Sequence, residues 1–399
     1  MDAFSTMDFA WSEEEERFRE ELEAFVVEHL PQGWDRPPGS LGSSVWSPAT
    51  GAFAEALARH GLLVPSWPKE YGGNAASSWQ QQIVAEVMWA NGEPRGPQYM
   101  NVNWIGPALI EFGSEEQRER FLAPMAAGSV VWCQGFSEPD AGSDLASIRT
   151  RAERDGTSYL VNGRKIWTSY ADTAQYCFLL VRTGTDAERH RGLSVLLVPM
   201  ETSGIEVRKI PAIVGDHAFH ELTFTDVVVP ESARLGTENG GWSVVVRALA
   251  NERVGLPRYI RGEQVLDLVA QWAEKAGILD QERVLALLGE AFAACEAARV
   301  LVYRVVDERA KGRPPSGLAN VARVAAVEAE RMVADATVEL MGEEGLASGA
   351  LADVQHRNSL AVGLAGGTFE VQLNLVSQLV LELPRSETGA RAAGPPAER

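Results

Sequence analysis

Cysteine is scarce in this chain: Cys133, Cys177 and Cys295 are scattered through 399 residues, with no CxxC pair. That spacing offers no disulfide framework, and it makes a reducing cytoplasm the expected compartment. Positive charge is also short. Lys and Arg number 36 against 55 Asp and Glu, a formal net charge of -19. Such a balance argues against a general nucleic-acid binder or a protein of anionic membrane surfaces. It leaves room for an anionic ligand in a local basic pocket. No apolar run approaches the roughly 20 residues of a membrane span. The first 31 residues carry the acidic run Glu13–Glu16 instead of a basic start and an apolar core, so they read as neither signal nor transit peptide. There is no internal repeat, no P-loop, no GxGxxG and no GxSxG elbow. His217 and His220 stand three apart in a strand-like run with no cysteine or third histidine near, so no metal site is expected.

Hydrophobic residues at 45% and charged residues at 23% are ordinary for a globular protein large enough for two or three domains. The first third reads helical. Ser12 to Glu15 is a capping box followed by Phe18, Leu22, Phe25 and Val26 at helical spacing, with Pro31 ending the run. Pro48 to His60 fits a second helix stopped by Gly61, and Ser114 to Gln117 opens another. The middle third changes period. Tyr159 to Val161, Asn162-Gly163 and Arg164 to Trp167 carry a two-residue hairpin signal, since Asn-Gly accepts positive φ at little cost. Strands are expected over Phe178–Val181, Leu193–Val198 and Leu222–Val229. The last third returns to helix over Gln281–Lys311, Gly317–Gly342 and Thr368 to about Leu383. The order predicts an α+β fold: an N-terminal helical domain over 1–128, a central β domain over 129–240, a C-terminal helical domain over 241–384 and a disordered tail over 385–399.

Two segments carry the chemistry. Gly135-Phe136-Ser137-Glu138-Pro139-Asp140-Ala141-Gly142-Ser143-Asp144 is rich in small and acidic residues between apolar runs. Val161-Asn162-Gly163-Arg164-Lys165-Ile166-Trp167-Thr168-Ser169 follows. In this order and spacing they resemble the flavin-binding signature of acyl-CoA dehydrogenases, and the resemblance runs over roughly residues 10–384. It implies FAD as cofactor and an acyl-CoA thioester as substrate. The implied fold has helical domains flanking a β domain, and the usual acceptor is an electron-transferring flavoprotein. Dehydrogenation beside a thioester needs a base for the α proton and a hydride acceptor for the β carbon; the cofactor supplies the second.

By the resemblance, Gln134, Phe136 and Ser137 belong to the strand touching the flavin ring. Trp167 supplies the indole against it, and Ser169 the hydroxyl near its reactive edge. Ser143 matches a serine beside the pantetheine arm of the substrate; its plainer reading is a turn-stabilising serine next to Asp144. Gly366-Gly367-Thr368 precedes the last helix, where free amides suit the FAD pyrophosphate, and Gly367 and Thr368 match the family's contact. Arg357 sits where a family motif begins with arginine. The glutamate that many members carry before this Gly-Thr is replaced by Gly366. A smaller group keeps its base on another helix, before an arginine, and Asn251-Glu252-Arg253-Val254 fits that form. Glu252 is therefore the candidate base. It follows the apolar run Trp242 to Leu249, where a carboxylate has a raised pKa. Arg253 is a candidate for steering the substrate or for a structural role.

Two elements depart from the family. Residues 271–284 contain nothing like its Arg-x-x-Phe-Gly element, which reaches FAD across a subunit interface, and its Gln-x-x-Gly-Gly segment is altered to Glu339-Leu340-Met341-Gly342-Glu343. Similar losses occur among actinobacterial members of steroid and side-chain breakdown, often built from two different subunits. The resemblance thus implies a homo-oligomer or a hetero-oligomer with a related chain. Two alternatives stay open: a non-catalytic partner subunit, and a flavin oxidase or monooxygenase on the same fold.

Overall fold

A computed structural model describes residues 11–34, 47–253, 257–313 and 316–384; the side chains of 215–218 and 250–253 lie outside that description, as does the segment 385–399 expected to be a tail.

The N-terminal third is helical because serines start its helices. Ser12, Ser47, Ser77 and Ser114 each accept the amide three residues on, in reciprocal capping boxes that open α1 (Glu13–His29), α2 (Pro48–Arg59), α3 (Ser78–Ala90) and α6 (Glu115–Ala126). Between them α4 (Gln98–Met100) and α5 (Gly106–Phe112) are joined by a π-helical stretch over Asn101–Ile105. The expected apolar face of α1 is buried at Leu22, Phe25 and Val26.

Eight strands form one sheet in the order β6-β7-β3-β2-β4-β5-β8, with β1 paired to β4. They are β1 (Trp132–Gly135), β2 (Arg151–Asp155), β3 (Ser158–Ser169), β4 (Tyr176–Arg182), β5 (Leu193–Pro199), β6 (Ile205–Ala212), β7 (Gly215–Pro230) and β8 (Arg234–Leu235). The central strands β4 and β5 are buried along almost their whole length, which is why they read as unbroken apolar runs.

One expectation is corrected here. Asn162-Gly163 is not a turn: β3 runs straight through it and pairs antiparallel with β7, with a register shift between Val161 and Gly163. The Asn162 side chain spans that bulge, donating to Asp226 Oδ1 at 3.0 Å and accepting from the Asp226 amide at 2.9 Å. Gly163 has φ +149, and a Cβ there would stand 2.6 Å from Thr150 Cα. Positive φ serves a bulge as well as a turn. The hairpin lies earlier, where Asp155 pairs with Ser158 around Gly156.

The C-terminal third comprises α7 (Gly241–Arg253), α8 (Arg258–Lys275), α9 (Glu282–Ala310), α10 (Leu318–Gly345), α11 (Leu351–Val362) and α12 (Phe369–Leu379). The last helix stops four residues before the expected end at Leu383, and α10 continues past Gly342 through a kink at that residue. Val265, Leu266, Val269, Cys295, Val302 and Val333 centre its core. Val244, Val245 and Ala248 of α7 instead join the core shared by the sheet and the N-terminal helices. No helix among the described residues is long and apolar enough to cross a membrane.

Candidate functional site

The two sequence segments meet through a buried ion pair. Lys165 of β3 is fully buried; its Nζ donates to Glu138 Oε1 at 2.9 Å and to the Phe136 carbonyl at 2.9 Å. Glu138 also accepts the amides of Arg149 at 2.6 Å and Thr150 at 2.8 Å. Burial pushes Lys165 down to about 8 despite the opposing pull of Glu138. For Glu138, burial opposes ionisation, but the Lys165 charge and the bonds from Thr150 and Arg149 outweigh it and hold the carboxyl below its usual range. Next along the strand, the Ile166 amide donates to the Ser137 carbonyl at 2.9 Å. Phe136, Ser137 and Glu138 are thus held against Lys165 and Ile166, the two residues that precede Trp167. In the sequence Glu138 and Lys165 are legible only as members of the two motifs, with no role of their own.

Trp167 is held in an unusual pose. It has φ +61, as does Tyr170, a conformation that non-glycine residues adopt only when their surroundings impose it. The Trp167 side chain is 55% exposed, with its ring edge-on to Phe219 at 5.9 Å. Gln134 accepts a 2.9 Å bond from the indole nitrogen of Trp104, which the π-helical stretch carries to it. Phe136 is buried against Phe178. An exposed indole face, an amide and the hydroxyls of Ser137 and Ser169 form a donor set that fits a flat, apolar ring with polar edges, such as a flavin.

The remaining candidates are not drawn into that bed by any contact described. Ser143 is exposed on the loop beyond the Glu138–Ala141 bridge. Asp144, beside it, pairs with Arg189 at 2.6 Å. Arg182, nearly fully buried, braces this region by donating to the carbonyls of Ala146, Ile148, Thr185 and Arg189. Glu252 and Arg253 lie on the last turn of α7, one turn beyond buried Ala248; their side chains are outside the described residues. Gly366 and Gly367, with φ +69 and +94, lead into α12. The Thr368 hydroxyl caps that helix by accepting the Val371 amide at 3.3 Å. Arg357 is engaged by Asp353 at 2.7 Å and donates to the Ile213 carbonyl at 3.1 Å. His217 lies outside the described side chains; among the described residues no group of three or more potential ligands could hold a metal ion.

Family models match almost the whole chain: the acyl-CoA dehydrogenase N-terminal domain over residues 12–129, the middle domain over 133–227 and the C-terminal domain over 239–381. Acyl-CoA dehydrogenase IpdE1 of Mycobacterium tuberculosis is 32% identical over 344 residues, covering 85% of this chain and 89% of the relative. Acyl-CoA dehydrogenase FadE34 of the same organism is 35% identical over 332 residues, covering 83% of this chain and 46% of that longer protein. Among solved structures, the steroid ACAD Tcur3481-Tcur3483 superposes with a TM-score of 0.86 at 31% identity, covering 95% of this chain and 100% of that one. The ChsE4-ChsE5 complex from Mycobacterium tuberculosis gives 0.83 at 30%, with 95% and 100% covered. With all three domain models in sequence order over the helical, sheet and helical parts described above, this chain belongs to the acyl-CoA dehydrogenase family.

Proposed function

We propose that the chain catalyses α,β-dehydrogenation of an acyl-CoA thioester to the trans-2-enoyl-CoA. The observation that carries this reading is the contact between the two motif segments, the stretch just after β1 and the end of β3. The Lys165–Glu138 pair and the Ile166–Ser137 bond lock them together, with the Trp167 indole exposed beside them. FAD, when bound, supplies the acceptor for the β hydride. Gln134, Phe136, Ser137, Trp167 and Ser169 would hold its ring, and Gly367 and Thr368 its pyrophosphate. Glu252 takes the α proton on its carboxylate. Ser143 and Arg253 position the substrate. An electron-transferring flavoprotein is the proposed acceptor and the cytoplasm the proposed site of action.

Replacing Glu252 tests this directly. Glu252→Gln is nearly isosteric and cannot accept the proton. It should keep the fold and the flavin while turnover with an artificial acceptor falls by about 10² to 10⁴. Retention of more than about a tenth of the activity would place the base elsewhere, with Glu343 and Glu370 the next carboxylates to replace. A panel of acyl-CoAs in the same assay identifies the substrate class. Oxygen uptake in place of acceptor reduction would favour an oxidase.

A second reading has specific support. The absent Arg-x-x-Phe-Gly element and the altered segment Glu339–Glu343 suit a partner subunit of a hetero-oligomer. A wild-type chain that holds FAD only with a related chain, and whose Glu252→Gln variant leaves the pair fully active, would favour it.

A further inference from the structure

Beside the candidate flavin bed lies a histidine that neither the family motifs nor the proposed chemistry employs. His220 of β7 stands opposite Thr168 of β3, and its neighbour Phe219 stands opposite Ser169. Its side chain is almost entirely buried. Nδ1 is 3.2 Å from the Thr168 carbonyl oxygen, and Nε2 is 3.4 Å from Asp172 Oδ2. A carbonyl oxygen only accepts, so Nδ1 carries the proton toward Thr168.

These contacts bracket an unusual piece of backbone. Thr168 and Ser169 lie between Trp167 and Tyr170, both with φ +61. The β3–β7 register slips between Lys165 and Thr168 and resumes at the His220 pairing. The first ladder position after the slip is therefore the one where a buried imidazole grips the strand's carbonyl. The ring's other nitrogen reaches Asp172, just past the second left-handed residue. With its proton on Nδ1, the neutral ring offers Asp172 only a lone pair, so the bond to the Thr168 carbonyl is the contact that restrains the Ser169–Tyr170 corner. Phe219 meanwhile meets the Trp167 ring edge-on at 5.9 Å.

We propose that His220 is a positioning residue of the flavin bed. By donating to the Thr168 carbonyl, it fixes the backbone between Trp167 and Tyr170, the two residues with positive φ, and so sets how Trp167 and Ser169 are presented to the cofactor. This rests on the flavin reading above, but the backbone restraint is measurable without any flavin.

The experiment uses the full chain with His220→Leu and His220→Asn. Leucine removes the bond to Thr168; asparagine carries an amide N–H close to where Nδ1 stands and keeps it. Two quantities are read: hydrogen exchange of the segment 166–171 in flavin-free protein, and the dissociation constant for added FAD. Loss of one buried hydrogen bond should raise both by about tenfold in His220→Leu, with His220→Asn returning to within about twofold of wild type. Equal exchange and equal FAD affinity in all three proteins would overturn the proposal. So would faster exchange spread over the whole sheet in both variants, since that marks a packing role. A wild-type protein that binds no FAD would instead remove the flavin reading, while the exchange contrast between leucine and asparagine still decides whether His220 pins the segment.

Discussion

Lys165 and Glu138 show how a residue-scale feature can hide in plain view. Each belongs to a motif, yet nothing in their spacing, 27 residues apart, says that they touch. Lys165 occupies an inward position of an alternating strand, where a lysine is costly unless paired. That mismatch is the one signal the sequence offered. Removing one partner leaves a buried charge, which typically costs about 3–5 kcal/mol. Glu138→Gln and Lys165→Met should each destabilise the fold by that order in denaturant titrations. The double variant should recover about 1–3 kcal/mol relative to the sum, because neither charge is then stranded. Additive losses would mean that the two residues act independently. The pH dependence has a definite sign. The folded-state value of Glu138 is below its ordinary 4.5, so its ionised form stabilises the fold at neutral pH, and that share is lost as pH falls below 4.5. Glu138→Gln should therefore flatten the acid limb of melting temperature against pH. Lys165 acts in the opposite range. Its value falls from 10.5 to about 8, so between those limits the unfolded chain binds more protons, and the lysine's own share of stability rises with pH.

At the scale of elements, what was legible followed from local chemistry. Ser12 and Ser114 announce their helices because a capping box is complete within four residues, and the long helices α9 and α10 were visible as uninterrupted helix formers. Ser47 and Ser77 make the same kind of box with Thr50 and Gln80. Asn162-Gly163 fails for the opposite reason. Its residue types ask for positive φ but do not say whether the chain then reverses, and the bridge from Asn162 to Asp226, 64 residues away, decides it. Glycine is needed at 163 for its φ of +149, and for a reason that a hairpin would not give: the Thr150 backbone stands 2.6 Å from where a Cβ would sit. Gly163→Ala should cost about 2 kcal/mol or more, since the contact is with main chain that cannot rotate away. Gly156, with φ +57 and nothing within 4 Å of its virtual Cβ, is the control: alanine there meets the strain of a left-handed residue alone, of order 1 kcal/mol. If the two substitutions shift the chemical-denaturation midpoint equally, the close approach at Gly163 carries no weight.

Across the whole molecule, the sequence of helices, strands and helices was readable from periodicity, whereas the completeness of the site was not. The chain carries the strands proposed to cradle a flavin ring, with Glu252 as the proposed base, but residues 271–284 lack the element that the family offers to a neighbour's cofactor. In a symmetric dimer the same surfaces meet twice, so every copy must bear both halves. We propose that a chain with one half takes the other from a related, unlike subunit; the alternative is a homo-oligomer whose FAD is held by other residues. Leu360 on α11 and Leu373 and Leu379 on α12 are exposed, as are Leu364, Leu381 and Leu383 just beyond those helices. We therefore expect the chain expressed alone to retain well under one FAD per 43.3 kDa subunit, and co-expression with a related chain to raise retention to one FAD per unlike pair. Light scattering for mass, with flavin absorbance for stoichiometry, measures both at once. A homo-oligomer holding one FAD on every chain, and fully active without a partner, would show that other residues replace the missing element and that both halves of the site are present in this sequence after all.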